Sequence, residues 1–560
     1  MTIAPPGARD ATARPAQAGT DTGGPGPVPR GFLARAALVT AVLSLAGALL
    51  GLGRDQALAH LFGAGSETDA FLVAWTVPEF AATLLIEDGL AFVLVPAFSA
   101  AVARRARGGA GDPVRALVRS TLPRLALAFA TVSALLVWGA PYVVRTLAPG
   151  IADPRFAVDC TRLTGTCVLT FGLAGYCSAV LRAHRRFVAP AAIYVAYNAA
   201  VITAMFVLGA RWGVGAAAVG VAVGGALMVV AQLPSLLGQL RRRRATLPTD
   251  PADLTDPADP ADPADLTDPA DRRAMNLALI VTVLLFALCR QSQVLVERFL
   301  ASPLPAGAIS HLNYAQKVGQ MPMVLALMLC TVTFPVVAQA LAEGDTERAR
   351  DRVERDLRVV SCVVLLGAAA VAACAPHLVH LLFQRGAFTA QDTAATAAVT
   401  RVYALGLLGH ALVGVLVRSY FSAGRPTWYP VAAMAAGIVA TSWIGARTAG
   451  SWGVLGIAAA NATGITLTAL ILLYGTGTRA VPIRTRPVLA RMGGPLCAAA
   501  VACGVGGFCA SRVDSPALGL AAGGTAVTVV FLLLARPLGV QYLPPALRTV
   551  SRRLPHVRFR

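Results

Sequence analysis

Runs of about 20 or more apolar residues recur from near residue 34 to near residue 537, each closed by arginine, glycine or proline, and fourteen can be counted. About 20 apolar residues in a helix match the thickness of a bilayer's hydrocarbon core. No water reaches that core, so a spanning chain must satisfy its backbone internally, as helices or as a closed barrel. A barrel is excluded because the runs are continuous and rich in Ala, Leu and Gly, with no in-out alternation. The chain is therefore expected to be an all-α polytopic membrane protein of about fourteen transmembrane helices. Composition agrees: 56% of the 560 residues are hydrophobic and 14% charged, where soluble domains carry about a quarter.

The formal charge of +20 invites a nucleic-acid reading until its distribution is followed. If the first helix starts inside, most Lys and Arg fall in cytoplasmic segments, around 104–124, 241–273, 348–358, 479–491 and the tail from 536. That is the positive-inside pattern, and it predicts both termini in the cytoplasm with no nucleic-acid partner. Residues 1–30, rich in Pro, Gly, Ala and Thr, read as a disordered cytoplasmic tail, and 538–560 as a basic one. Residues 241–273 read as a cytoplasmic linker holding the low-complexity insert TDPADLTDPADPADPADLTDPAD. Its Asp-x-x-Asp spacing resembles a magnesium-diphosphate motif, but Pro after most of the Asp residues forbids the helix that such a site needs.

The chain also repeats itself. PYVVRTLAPGIADPRFAV from Pro141 is answered by PHLVHLLFQRGAFTAQDT from Pro376, an offset of 235, and LRAHRRFVAP from Leu181 by VRSYFSAGRP from Val417, an offset of 236. Arg54 finds Arg290 at that same offset. Two parallel six-helix repeats are expected, a first lobe at 31–240 and a second at 274–476, with two further helices at 477–537. Transporters built this way hold their ligand between the halves.

No G-x-S-x-G, H-E-x-x-H or Walker loop occurs, so neither an enzyme nor a nucleotide-driven pump is expected, and no cofactor is implied. The ten cysteines form no C-x-x-C and lie mostly in apolar spans, as small hydrophobes rather than metal ligands. What stands out is charge in or beside the spans: Arg54, Asp55, Asp69, Glu79, Glu87, Asp88, Arg290, Glu297, Arg298 and Lys317. Each costs about 3 kcal/mol at a helix centre, so it must face a cavity, pair or snorkel. Arg298, Glu79 and Asp88 sit where snorkelling from a helix end would serve. Lys317 is the single lysine beside 47 arginines and lies within a span just before Pro322. With Arg54 and Arg290 it predicts a cationic pocket between the halves, suited to phosphates.

The stretch RDQALAHLFGAGSETDAFLVAWTVPEF, followed by VPAF from Val95, resembles the first two helices of the MurJ (MviN) lipid II flippases of the multidrug/oligosaccharidyl-lipid/polysaccharide exporter superfamily. APGIAD at Ala148, HRRFVAP at His184, NYAQKVGQMP at Asn313, LLFQRGAFTAQD at Leu381 and YFSAGRP at Tyr420 extend the resemblance over nearly all of 34–540. It implies fourteen helices, a central cationic cavity and alternating access that carries an undecaprenyl-pyrophosphate-linked sugar-peptide between leaflets. Arg54, Asp69 and Glu87 match charged positions of that family, and Lys317 stands where the family usually has arginine. The departures are Ala82 and Thr83 in place of an arginine pair, Ala48 for a further arginine, and Glu79 for an asparagine. The helix-seven aspartate of the sodium site described for some members is missing from 274–300.

The expected function is thus translocation of lipid II across the bacterial inner membrane, in a multi-pass protein. Arg54, Lys317 and Arg290 would hold the pyrophosphate, and Asp69, Glu87, Asp55, Glu297 and Arg298 would gate or balance the empty cavity. Two alternatives keep the sequence but change the role: export of another lipid-linked glycan or amphiphile, or a scaffold that moves nothing. In either case the bilayer is a partner, and the basic tail and insert are candidate docking segments for cell-wall synthesis or division proteins.

Overall fold

The computed structural model describes residues 30–87, 89–107, 112–241, 269–330, 337, 339–340, 343–422, 427–479 and 481–535. Among these the chain is helical, without strands. The first half holds α1 (Arg30–Phe62), α2 (Ser66–Ala74), α3 (Thr76–Ala81), a π-helical segment (Ala82–Glu87), α4 (Gly89–Arg107), α5 (Pro113–Leu147), α6 (Pro154–Gly165), α7 (Cys167–Ala183), α8 (Val188–Trp212) and α9 (Gly215–Arg241). The second holds α10 (Pro269–Ala301), α11 (Ala308–Cys330), α12 (Thr346–Phe383), α13 (Ala390–Ser422) and α14 (Tyr429–Tyr474). After α15 (Thr476–Arg479) come α16 (Thr485–Ser511) and α17 (Pro516–Ala535).

Local chemistry explains several starts. Asp112 accepts from the backbone N–H groups of Val114 and Arg115 at 3.1 and 3.3 Å. Asp153 accepts from that of Phe156 at 3.0 Å, and Asp345 from that of Arg348 at 2.9 Å. Each satisfies donors that a helix N-terminus leaves free, and Pro113 and Pro154 occupy positions where no amide hydrogen is needed. α10 begins at Pro269, inside the segment expected as linker.

Twelve helical stretches among the described residues are long and apolar enough to cross a membrane, one of them α6 continued into α7. α14 is one of them at 46 residues, and it takes in two of the spans read from the sequence, with a turn at Gly453 between them. α11, the expected eighth span, is not among the twelve. The second expected span is one candidate crossing from Ser66 to Arg105, interrupted by the π-helical segment. Asp88 lies outside the described residues.

The two halves pack alike. α1 lies on α8 as α10 lies on α14, α4 on α7 as α11 on α13, and α5 on α6 and α7 as α12 on α13. Gly213 and Gly453 sharpen the correspondence: both have left-handed φ, 54° and 56°, and each follows a tryptophan in the triplet Trp-Gly-Val. Glycine adopts that backbone without a Cβ clash, so the same residue turns the chain between paired helices in each half. The repeat read from the sequence did not include this pair of triplets. α16 and α17 pack on α12, around Ala373, Cys374, Ala502 and Phe531. One large buried cluster centres on Trp75, Phe171 and Tyr197 of the first half and reaches Leu312 and Tyr403 of the second; another centres on Tyr314, Phe383 and Tyr420 and takes in Ala59.

Candidate functional site

Between the halves lies a cavity of about 450 Å³. Its wall is drawn from α1, α3, the π-helical segment, α7 and α8 on one side and from α10, α11, α13 and α14 on the other. Arg54 lies eight residues before the end of α1, about 12 Å along the axis, so its head sits deep in the bundle.

The three bases expected to meet do meet: Arg54, Arg290 and Lys317 all line this cavity. Arg54 is held within the first half. It donates to the Asp55 carboxylate at 2.7 and 3.0 Å and to the Asn198 side-chain oxygen at 3.3 Å, and its guanidinium lies 4.3 Å from the centre of the Trp75 ring. Two N–H groups converging on one carboxylate oxygen and an aromatic face together fix a planar, part-buried cation. Asp55 is not itself part of the cavity lining; it stands behind the wall as the immediate partner of Arg54.

The expectation of a cationic pocket needs correction. Beside its three bases the lining carries three carboxylates, Glu79, Glu87 and Glu297. The reading of Glu79 and Arg298 as snorkelling helix ends is overturned too. Arg298 is buried; it donates to the Thr76 hydroxyl and, at 3.1 Å, to the Glu79 carboxylate. The other Glu79 oxygen lies 3.9 Å from Lys317 Nζ. Gln291 donates to the Glu79 carbonyl at 3.4 Å and to the Thr83 hydroxyl at 3.0 Å. Glu79 is thus the point at which α3 of the first half meets α10 and α11 of the second. Along the sequence it stands out only as a departure, because nothing local shows which distant bases will surround it.

Glu297 and Glu87 have different partners. Glu297 accepts from the Tyr403 hydroxyl at 2.8 Å and from the Asn461 side-chain amide, both in its own half. Glu87, exposed on the π-helical segment, accepts from the Tyr194 hydroxyl at 3.0 Å. Ala82 and Thr83 share that segment, so a local widening of the helix coincides with the departure at these two positions. The buried Tyr197 hydroxyl has no hydrogen-bond partner among the described residues, and Tyr197 lines the cavity. Trp75, Asn198, Tyr197, Gln291, Tyr403 and Asn461 escaped the sequence reading. A neutral polar or aromatic residue costs little in a span and leaves no signal, whereas a charge does.

At the end of the bundle where α1 finishes, the halves are closed on each other. Asp69, 5% exposed, accepts from the backbone N–H of Gly307 at 2.7 Å and from the N–H and hydroxyl of Ser310 at 2.7 and 2.6 Å. Its negative charge faces the first turn of α11, where the helix dipole is positive. The Ala387 amide donates to the His60 carbonyl at 2.8 Å, and the Gly150 amide to the Ser302 hydroxyl at 3.3 Å. A Cβ on Gly63 would lie 2.6 Å from the Ala387 carbonyl oxygen, and its φ is +65°. Two motifs far apart in sequence, FGAG at 62–65 and QRGAF at 384–388, therefore touch here.

A family model described as lipid II flippase MurJ matches residues 58–520. The lipid II flippase MurJ of Burkholderia cenocepacia is 28% identical over 397 residues, 70% of this chain and 73% of that one. Solved structures share the fold. A lipid II flippase MurJ in an inward closed conformation superposes with a TM-score of 0.69 at 17% identity, covering 90% of this chain and 99% of the other. An inward-facing multidrug resistance MATE family transporter of the MOP superfamily gives 0.59 at 15% identity, covering 81% and 99%. With a family model spanning most of its length, this multi-pass membrane chain belongs to the MurJ lipid II flippase family.

Proposed function

We propose that this protein is a transporter that moves lipid II, the undecaprenyl-pyrophosphate-linked peptidoglycan precursor, from the inner to the outer leaflet of the bacterial inner membrane. The observation that carries the reading is the placement of Arg54, Arg290 and Lys317 around one cavity between two similarly packed halves, in a chain of this family. Guanidinium and ammonium groups held in a partly dry cavity suit a diphosphate, through short charge-assisted hydrogen bonds.

Fourteen crossings fit the helices when α14 is counted as two, on either side of Gly453, and α11 as one more. The distribution of basic residues supports a cytoplasmic location for both termini and the insert. The end closed by Asp69 is the outer one, and outward opening requires the Asp69, His60 and Gly150 contacts to part. Residues 31–240 rock against 274–476 in this reading, while α16 and α17 border a groove for the lipid tail. Arg54, Arg290 and Lys317 hold the pyrophosphate; Asp69 gates; Asp55, Glu87, Glu297 and Arg298 balance charge. Membrane potential or an ion gradient supplies the driving force, since the sequence has no Walker loop.

The test is replacement of an essential lipid II flippase by this chain in a depletion strain, with Lys317→Ala and Arg54→Ala alongside. Rescue by the parent and failure of both variants at equal membrane abundance is the expected result. A parent that reaches the membrane, leaves lipid II in the inner leaflet and fails to restore growth would sink the reading.

A further inference from the structure

We propose that Glu79 is an internal competitor for the transported anion: its carboxylate engages Lys317 in the empty cavity, gives that lysine up when a diphosphate loads, and helps expel the diphosphate afterwards. The proposal rests on the reading that the cavity takes a lipid diphosphate.

Of the three carboxylates in the lining, Glu79 alone has a lining cation within ion-pair distance among the described residues. Glu297 is occupied by Tyr403 and Asn461, and Glu87 by Tyr194. The two oxygens of Glu79 are used unequally. One is bound at 3.1 Å to Arg298, whose side chain is 6% exposed and is also tied to Thr76. The other faces Lys317 Nζ at 3.9 Å, where the side chains are 28% and 25% exposed. A buried arginine with two partners is costly to strip, whereas a long, part-exposed lysine contact is worth little. Lys317 can therefore leave Glu79 for a phosphate while Arg298 keeps the carboxylate in place. Once Lys317 has left, a carboxylate and a diphosphate share one cavity. Their repulsion lowers affinity in the loaded state and limits trapping of the cargo, an attractive site made releasable by a built-in repulsive element.

The test uses the full chain in nanodiscs, with geranylgeranyl diphosphate as the probe and geranylgeraniol as its uncharged control. Glu79→Gln, which keeps an oxygen for Arg298, is expected to bind the diphosphate roughly tenfold tighter. Geranylgeraniol binding should not change, and Glu79→Asp should bind the diphosphate as the parent does. Glu79→Gln combined with Lys317→Ala should bind no tighter than Lys317→Ala alone. Should Glu79→Gln fail to fold, Glu79→Asn supplies a second neutral side chain with the same expectation. In proteoliposomes the neutral variants should show a lower turnover and a lower half-saturating cargo concentration. A parent that binds the diphosphate, with neutral variants that bind it equally or more weakly, overturns the role given to Glu79 and leaves the ligand class standing. No diphosphate binding by parent or variants overturns both.

Discussion

Asp69 on α2 holds Ser310 on α11 by two bonds at once, accepting from its backbone N–H at 2.7 Å and from its hydroxyl at 2.6 Å. With the Gly307 amide at 2.7 Å, this makes a buried carboxylate that clamps the two halves of the chain together at one end. Asp69→Asn keeps the shape but loses the charge and turns one acceptor into a donor facing amide hydrogens. The closed end is expected to weaken by about 3 kcal/mol. Labelling of a cysteine placed in the cavity, by a membrane-impermeant maleimide added from outside, should rise. Ser310→Ala removes only the hydroxyl bond and should cost about 1 kcal/mol. Equal labelling of the parent and Asp69→Asn would refute the clamp.

Gly63 makes an independent prediction at the same end. Its φ is +65°, and a Cβ at this position would approach the Ala387 carbonyl oxygen to 2.6 Å, which leaves no room for a side chain. Gly63→Ala should loosen the closed end by about 2 kcal/mol, from backbone strain and displacement of the 384–388 turn. A lower midpoint in thermal unfolding of the purified protein, with faster labelling of the cavity cysteine, is the expected outcome.

Arg54 lies on α1 and Arg290 on α10, 236 residues apart, and both line the cavity. Arg54 is fixed by Asp55, Asn198 and Trp75. Arg54→Ala strands the buried Asp55 and should cost both stability and diphosphate binding, whereas Arg54→Lys loses the planar set of N–H donors shared between Asp55 and Asn198 and should retain only part of the binding. Arg290→Ala should weaken diphosphate binding without lowering the unfolding midpoint. If Arg290→Ala left binding and transport intact while Arg54→Ala abolished them, Arg290 would not be part of the phosphate site.

Tyr197 carries a buried hydroxyl without a hydrogen-bond partner among the described residues. Tyr197→Phe removes it while leaving the ring contacts with Trp75 and Phe171. Stability should hold or rise by about 1 kcal/mol, since an unsatisfied buried hydroxyl is itself a cost. Diphosphate affinity should fall severalfold if that hydroxyl serves the ligand, read by titration with geranylgeranyl diphosphate.

Class and periodicity are legible in the sequence because they depend on sums along the chain. Apolar runs, the loop distribution of arginine and the offset between Arg54 and Arg290 are one-dimensional facts; of these the apolar runs recur as long helices, and the two arginines line one cavity. The charged candidates are legible for a related reason: an ionised group in an apolar span is expensive enough to stand out alone. The sign of the cavity is not legible. Glu79 reads as a helix-end acid until α10 and α11 bring Arg298 and Lys317 to its two oxygens across 219 and 238 residues of chain.

By its sequence alone this protein was determined to be a helical membrane protein with two similar halves and costly charges inside them, since hydrophobic length and charge cost act residue by residue. Only the tertiary structure decided that Asp69 seals one end against Ser310, that Glu79 offsets the bases of the cavity, and that the FGAG and QRGAF turns meet. Those are pairings, and a pairing depends on which distant helices pack within hydrogen-bonding distance, a quantity that no local pattern encodes.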